Sequence, residues 1–305
     1  MMRRMLAAIT RALVPPFRPE KTPSRSVAIV VPLSPRPGLT ADERVSLRHL
    51  NHYLGDYDKY LIASEGFAPD LPGFQVKHFA RKYFGSAAAH GRMLAQAAFY
   101  REFADYEFVF FYHLDSLAFS DQMAVWCATD LDYIGPPWMH CEESLWVDTP
   151  RVGNGGFTLL RVASALQVLA NRHRKEPSTY WIDQFTQHAP GGLVRGLEWI
   201  QARCPGMHLL NRLLHEWHAM EDPAEHGRNN DLFWSDKAVR YLPEFKVASL
   251  EQGLRFAFEA VPRDCFEMTG GRMPFGCHAW GRYDREFWLP HLLPEDHVEH
   301  HSTPL

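Results

Sequence analysis

The sequence predicts an α/β fold with a mixed, mainly parallel central sheet and helices on both faces. Three observations carry this. Val27-Ala28-Ile29-Val30-Val31 is a wholly apolar, β-branched run ended by Pro32. A helical pattern follows it, and strand and helix patterns then alternate with short connections, as parallel sheets wound by right-handed crossovers do. Near the middle, Glu107-Phe108-Val109-Phe110-Phe111-Tyr112-His113-Leu114-Asp115 runs a short apolar stretch into an acid. A run of that length and composition suits a strand covered on both faces.

The elements are read in order. Pro15, Pro16, Pro19 and Pro23 form a linker, so the folded body begins near Ser26. Thr40 and Glu43 have capping-box spacing, and Leu47, Leu50 and Leu54 recur at helical intervals behind them. Lys59-Tyr60-Leu61-Ile62-Ala63 reads as the second strand, and Phe74 to Phe79 as a third with alternation. Ser86 starts a helix that runs to about Phe103 and feeds the strand ending at Asp115. No Gly-x-Gly-x-x-Gly follows the first strand, which disfavours a dinucleotide fold of the dehydrogenase type. Val162, Leu166 and Leu169 mark a later helix, and the region from about Pro190 to Gly227 holds a helical pattern between polar loops.

Composition sets bounds. The chain has 305 residues, 46% hydrophobic and 22% charged, and a formal charge of -4, which offers no global attraction to nucleic acid. Cys127, Cys141, Cys204, Cys265 and Cys277 are odd in number and widely spaced. That pattern argues against a disulfide framework or a structural zinc site and for a reducing, cytoplasmic compartment. The N-terminal stretch is too short and too basic to span a bilayer. Met5, Leu6, Ile9 and Leu13 share a helical face, with Arg3, Arg4 and Arg11 beside them. Two readings stay open for this segment: a foot on anionic membrane at the inner face, or a frayed tail. Residues 1–25 are read as a basic, proline-rich tail and 291–305 as a polar one.

Several positions can carry chemistry. In open α/β sheets ligands sit beyond the carboxyl ends of the strands. A carboxylate at Asp115 would stand there, suited to hold a divalent cation against a diphosphate, or it simply ends a strand. Gly153-Asn154-Gly155-Gly156 allows positive φ angles and close backbone approach to a ligand, or makes a tight turn. Asp231, in Asn229-Asn230-Asp231-Leu232-Phe233-Trp234, is a helix cap or a general base. His278, in Pro274-Phe275-Gly276-Cys277-His278-Ala279-Trp280, is a structural histidine or a metal ligand alongside Asp115.

The order of these segments resembles glycosyltransferases of the GT-A type, and more closely an uncharacterised glycosyltransferase-like family. That family has segments similar to Tyr112 through Phe119, Asp132-Tyr133-Ile134-Gly135, Val152 through Phe157 and Pro274 through Trp280. The resemblance implies a single GT-A-like, Rossmann-like domain over 26–290, with a nucleotide-sugar half at 26–135 and an acceptor half at 136–290. It implies that Asp115 is the last carboxylate of the Asp-x-Asp metal motif, that His278 is the late metal ligand and that Asp231 is the catalytic base. Pro32, Ser64, Glu65 and His113 would border the donor nucleotide; Trp138, Asn154, Gly155 and Gly156 would shape the acceptor side. The implied partners are a nucleoside diphosphate sugar and a glycan or other hydroxyl acceptor, with manganese or magnesium as cofactor. His113 stands where the first Asp of the motif is expected, which weakens the case for strong metal dependence. Two rivals remain. One is a catalytically weak sugar-nucleotide or glycan-binding module. The other is a glycoside hydrolase using Asp115 and Asp231 as its carboxylate pair.

Overall fold

The computed structural model describes residues 2–14, 23–188, 191–204, 206–208, 211 and 230–296. Pro15, Pro16 and Pro19, most of the stretch from 209 to 229, and 297–305 lie outside them. The chain sorts into two compact units. A sheet unit takes Pro23–Phe79, Asp105–Val162 and Phe245–Leu305; a helical unit takes Met1–Thr22, Ala80–Ala104 and Ala163–Glu244. This division does not follow the halves 26–135 and 136–290. The chain leaves the sheet after its third strand and again after Val162, and both excursions belong to the helical unit.

The sheet unit has the predicted α/β class. Its main sheet has six strands: β1 (Arg25–Pro32), β2 (Asp58–Ser64), β3 (Gln75–Phe79), β4 (Tyr106–Tyr112), β6 (Tyr133–Ile134) and β9 (Phe157–Arg161), in the order β3-β2-β1-β4-β9-β6. The pairs β1·β2, β2·β3 and β1·β4 are parallel, whereas β9 runs antiparallel to β4 and β6. The apolar runs explain the centre: Ala28 to Val31 and Val109 to Phe110 are fully buried, as central strands covered on both faces require. Small pairings involve β5 (Leu117–Ala118), β7 (Pro137–Trp138), β8 (Arg151–Val152), β10 (Ala257–Phe258) and β11 (Gly276–Cys277).

The order places a topological switch at the middle of the sheet. From β1 the chain builds outward through β2 to β3, then returns to add β4 on the other side of β1. The connections from the carboxyl ends of β1 and β4 therefore depart in opposite directions. That is where open α/β sheets bind ligands.

Within the same unit, helix Ala41–Leu54 opens on the predicted capping box, Thr40 accepting from the Glu43 amide and Glu43 from the Thr40 amide. The described part of the tail expected from 291 is packed. Leu292 and Leu293 are buried, the fully buried Asp296 pairs with Arg48, and the Leu293 amide donates to His49 Nε2 at 3.2 Å. The apolar pair at 292 and 293 anchors this segment.

The helical unit contains Met2–Leu13, Ala87–Leu94, Ala97–Arg101, most of Val162–Lys175, Pro177–His188 and Gly191–Arg203. The helix expected from Ser86 to Phe103 is broken at Ala95 and Gln96. Gln96 is extended, and the Tyr100 hydroxyl donates to the Leu94 carbonyl at 2.8 Å, replacing part of the lost helical bonding. Trp234 is fully buried, its ring edge-on to Tyr100 and its Nε1 donating to Asn230 Oδ1 at 2.9 Å.

Candidate functional site

The site grows from the carboxyl end of β4. Strand pairing ends at Tyr112, and His113 and Asp115 follow on a turn whose Ser116 amide donates to the His113 carbonyl at 2.9 Å. The backbone holds both ends of this turn. The His113 amide donates to the Gly156 carbonyl at 2.9 Å, and the Trp280 amide donates to the Asp115 carbonyl at 3.1 Å. His278 arrives from β11, its own amide donating to the Phe258 carbonyl at 2.9 Å.

His113, Asp115 and His278 each offer a ligand atom, and these atoms lie within 4.8 Å of one another. Asp115 is half-exposed at 54%, and His278 is largely enclosed at 13%. His278 Nε2 lies 3.3 Å from Asp115 Oδ1, and its Nδ1 lies 3.0 Å from Glu259 Oε1. Burial works against a charged imidazole, but hydrogen bonds to Asp115 and Glu259 outweigh it and lift the His278 pKa to about 10. Burial also opposes ionisation of Asp115, yet the hydrogen bond from His278 and the charges of the two histidines bring its pKa down to about 2.

Glu259 is the residue that sequence reading missed. It is buried, follows β10 directly and accepts twice through Oε1, from His278 Nδ1 and from Asn154 Nδ2 at 2.7 Å. Its signal was an acid embedded in an otherwise apolar stretch, Phe256-Ala257-Phe258-Glu259-Ala260. Asn154 uses both halves of its amide inside the site: Nδ2 donates to Glu259, and Oδ1 accepts from the Gly156 amide at 2.9 Å.

The glycine cluster works differently from expectation. None of Gly153, Gly155 and Gly156 has a positive φ. Close approach is what demands glycine here. A Cβ on Gly156 would sit 2.0 Å from His278 Nε2, and one on Gly153 would sit 2.2 Å from the Trp138 ring. The left-handed residue near the site is Ala279, at φ 54°, directly after His278. That conformation costs an L-residue roughly 1–2 kcal/mol, a strain typical of positions where a functional side chain must be aimed.

Gly156→Ala should therefore destabilise the protein by about 1–3 kcal/mol, the scale of overpacking a filled site. Its His278 ring resonances should also move. Denaturant unfolding and NMR check this, and an alanine variant with native stability and an unmoved ring would show that the glycine is dispensable.

The remaining predicted positions fall in both units. Pro32 ends β1 and Ser64 ends β2, so both stand on the same carboxyl edge of the parallel strands as His113 and Asp115. Glu65 follows directly, its amide bonded to the Phe79 carbonyl at 2.9 Å. Trp138 is buried at 7%, with Trp146 edge-on at 5.1 Å between ring centroids and the Arg151 guanidinium 5.6 Å from its ring. Asp231 belongs to the helical unit, in the first turn of the short helix Asn230–Leu232.

The family model described as "Protein of unknown function (DUF5672)" matches residues 73–278. The chain belongs to this family. The matched span of this DUF5672 chain holds His113, Asp115, Asn154, Gly156, Glu259 and His278. No curated protein matches the chain. Among solved structures it is similar to the apo form of the glycosyltransferase GlyE of Streptococcus pneumoniae TIGR4, at 12% identity and a TM-score of 0.42. That alignment covers 90% of this chain and 61% of GlyE, so the chain spans about three fifths of GlyE's length. It is also similar to the galactosyltransferase LgtC in complex with donor and acceptor sugar analogs, at 12% identity and a TM-score of 0.43 over 84% of this chain and 87% of that one.

Proposed function

We propose that this protein transfers a sugar from a nucleoside diphosphate sugar to a hydroxyl acceptor, with a divalent cation held by His113, Asp115 and His278. The observation that carries the reading is the position of this cluster, at the carboxyl end of β4 and at the switch point between β1 and β4. The order of motifs, from the strand-ending Asp115 to the late His278, points the same way.

The residues present fit a metal. Glu259 accepts at His278 Nδ1, so a cation that displaces the Nε2 proton shared with Asp115 would find the Nε2 lone pair aimed at it, as in carboxylate–histidine–metal arrangements. Two imidazoles and one carboxylate suit manganese or another transition ion better than magnesium, which favours all-oxygen surroundings. Bound there, the cation would neutralise negative charge building on the departing diphosphate. Pro32, Ser64 and Glu65 border the nucleotide in this reading, and Trp138, Gly155 and Gly156 shape the acceptor side. Asn154 holds Glu259 and the Gly156 amide in place. In the inverting form, Asp231 takes the acceptor's hydroxyl proton while the oxygen bonds to the anomeric carbon. The bond from that carbon to the diphosphate oxygen breaks on the opposite face, and the nucleoside diphosphate leaves.

The experiment is a panel of nucleoside diphosphates in a thermal-shift screen with manganese, magnesium or chelator, followed by turnover of the matching sugar donors. A ligand bound only by the folded state raises the melting temperature, by mass action. The expected result is a shift that requires both nucleotide and manganese, and sugar transfer from at least one donor. Binding without turnover would favour the binding module. Release of free sugar from an oligosaccharide without nucleotide would favour the hydrolase.

A further inference from the structure

The N-terminal helix is held through Thr10 and leaves its apolar stripe outside. We label it α1 (Met2–Leu13). Thr10 is fully buried and accepts from Trp181 Nε1 at 3.2 Å, which ties α1 to helix Pro177–His188 of the same unit. The apolar stripe stays out of that contact: Met5 is 58% exposed, Ile9 39% and Leu13 52%. Helices on globular proteins normally present such a stripe to the core. Here it is left to solvent.

Charge distinguishes the face further. The chain is acidic overall, yet α1 carries Arg3, Arg4 and Arg11 and no acidic residue. Among these, Arg11 is exposed. The same unit exposes Trp199 and Ile200 near the end of helix Gly191–Arg203, with the Arg203 guanidinium 3.8 Å from the Trp199 ring. Exposed tryptophan and arginine are what the headgroup region of a bilayer accommodates. No helix among the described residues is long and apolar enough to cross a membrane.

We propose that the helical unit docks on an anionic lipid surface, with α1 lying in the headgroup layer, Met5, Ile9 and Leu13 turned toward the acyl chains and the arginines on the phosphates. A second copy of the chain fits less well, because self-pairing would bring the arginines of one α1 against those of the other. This inference is independent of the sugar-transfer reading, and its test uses no donor.

Full-length protein is mixed with vesicles of phosphatidylcholine alone or phosphatidylcholine with phosphatidylglycerol, and co-sedimentation is followed as salt rises. Binding is expected only with phosphatidylglycerol, and it should weaken with salt. Ile9→Glu should bind at least tenfold more weakly, and Arg11→Gln about fivefold more weakly. Both side chains are exposed, so melting curves should match wild type. The proposal is overturned if wild type ignores both vesicles, or if Ile9→Glu binds as wild type does. A wild-type dimer that Ile9→Glu dissolves, with no vesicle binding, would give the stripe to a second copy and equally overturn it.

Discussion

Asp115→Asn should abolish manganese-assisted nucleoside diphosphate binding while leaving the fold intact. The side chain is 54% exposed, so the core loses nothing when its charge is removed. The cluster loses its carboxylate and keeps two imidazoles, a set without the negative charge that offsets a divalent ion. Removing an outer partner of a metal ligand typically costs ten- to hundredfold in affinity, and removing the ligand itself should cost more than that. Calorimetric titration of wild type and variant with manganese, alone and with a nucleoside diphosphate, reads the difference. Equal affinities would take Asp115 out of the site. A wild-type protein that binds nucleotide equally with manganese and with chelator would instead remove the metal from the reading.

The scaffold around this residue was largely legible in the sequence. Strand β4 announced itself because a strand buried on both faces has to be apolar throughout, and Asp115 stood out because it ends that run. The capping box at Thr40 and Glu43 was legible because it is local. Other features depend on chain segments that sequence distance conceals. Glu259 is meaningful only once His278 and Asn154 are beside it, 19 and 105 residues away along the chain. The Gly153–Gly156 cluster was read as allowing positive φ angles and close approach to a ligand, or a tight turn; the close approach is there at Gly153 and Gly156, but to the rings of Trp138 and His278, which no local pattern reveals. The predicted helix breaks at Gln96, where the Tyr100 hydroxyl donates to the Leu94 carbonyl in place of a helical bond. In α1 the periodicity was read correctly, but periodicity gives an apolar face and not what that face meets.

Asp231→Asn should lower turnover by roughly 10²- to 10⁴-fold, the usual contribution of a positioned general base, with donor affinity nearly unchanged because the base serves the acceptor. The structure gives a reason to expect the fold to tolerate the change. Asp231 sits in the first turn of the short helix Asn230–Leu232, and its carboxylate accepts a 3.4 Å hydrogen bond from Asn230 Nδ2, a bond that the asparagine side-chain oxygen can also accept. Its carbonyl accepts from Ser235 Oγ at 2.8 Å, a backbone bond that asparagine preserves. The charge itself interacts with the helix start, worth about 0.3–1 kcal/mol at an accessible position. A residue serving only that purpose would therefore lose a small amount of stability and no activity on substitution. The helix loosens into a π-helical turn at Phe233–Lys237 immediately afterwards, a deformation often found where a side chain is aimed for function. Steady-state kinetics, donor titration and a denaturant melt on the one variant separate the two roles. Wild-type turnover with slightly reduced stability would leave Asp231 as a helix-terminal charge and the inverting mechanism without its base. A collapse of turnover at native stability and native donor affinity is the result the mechanism requires.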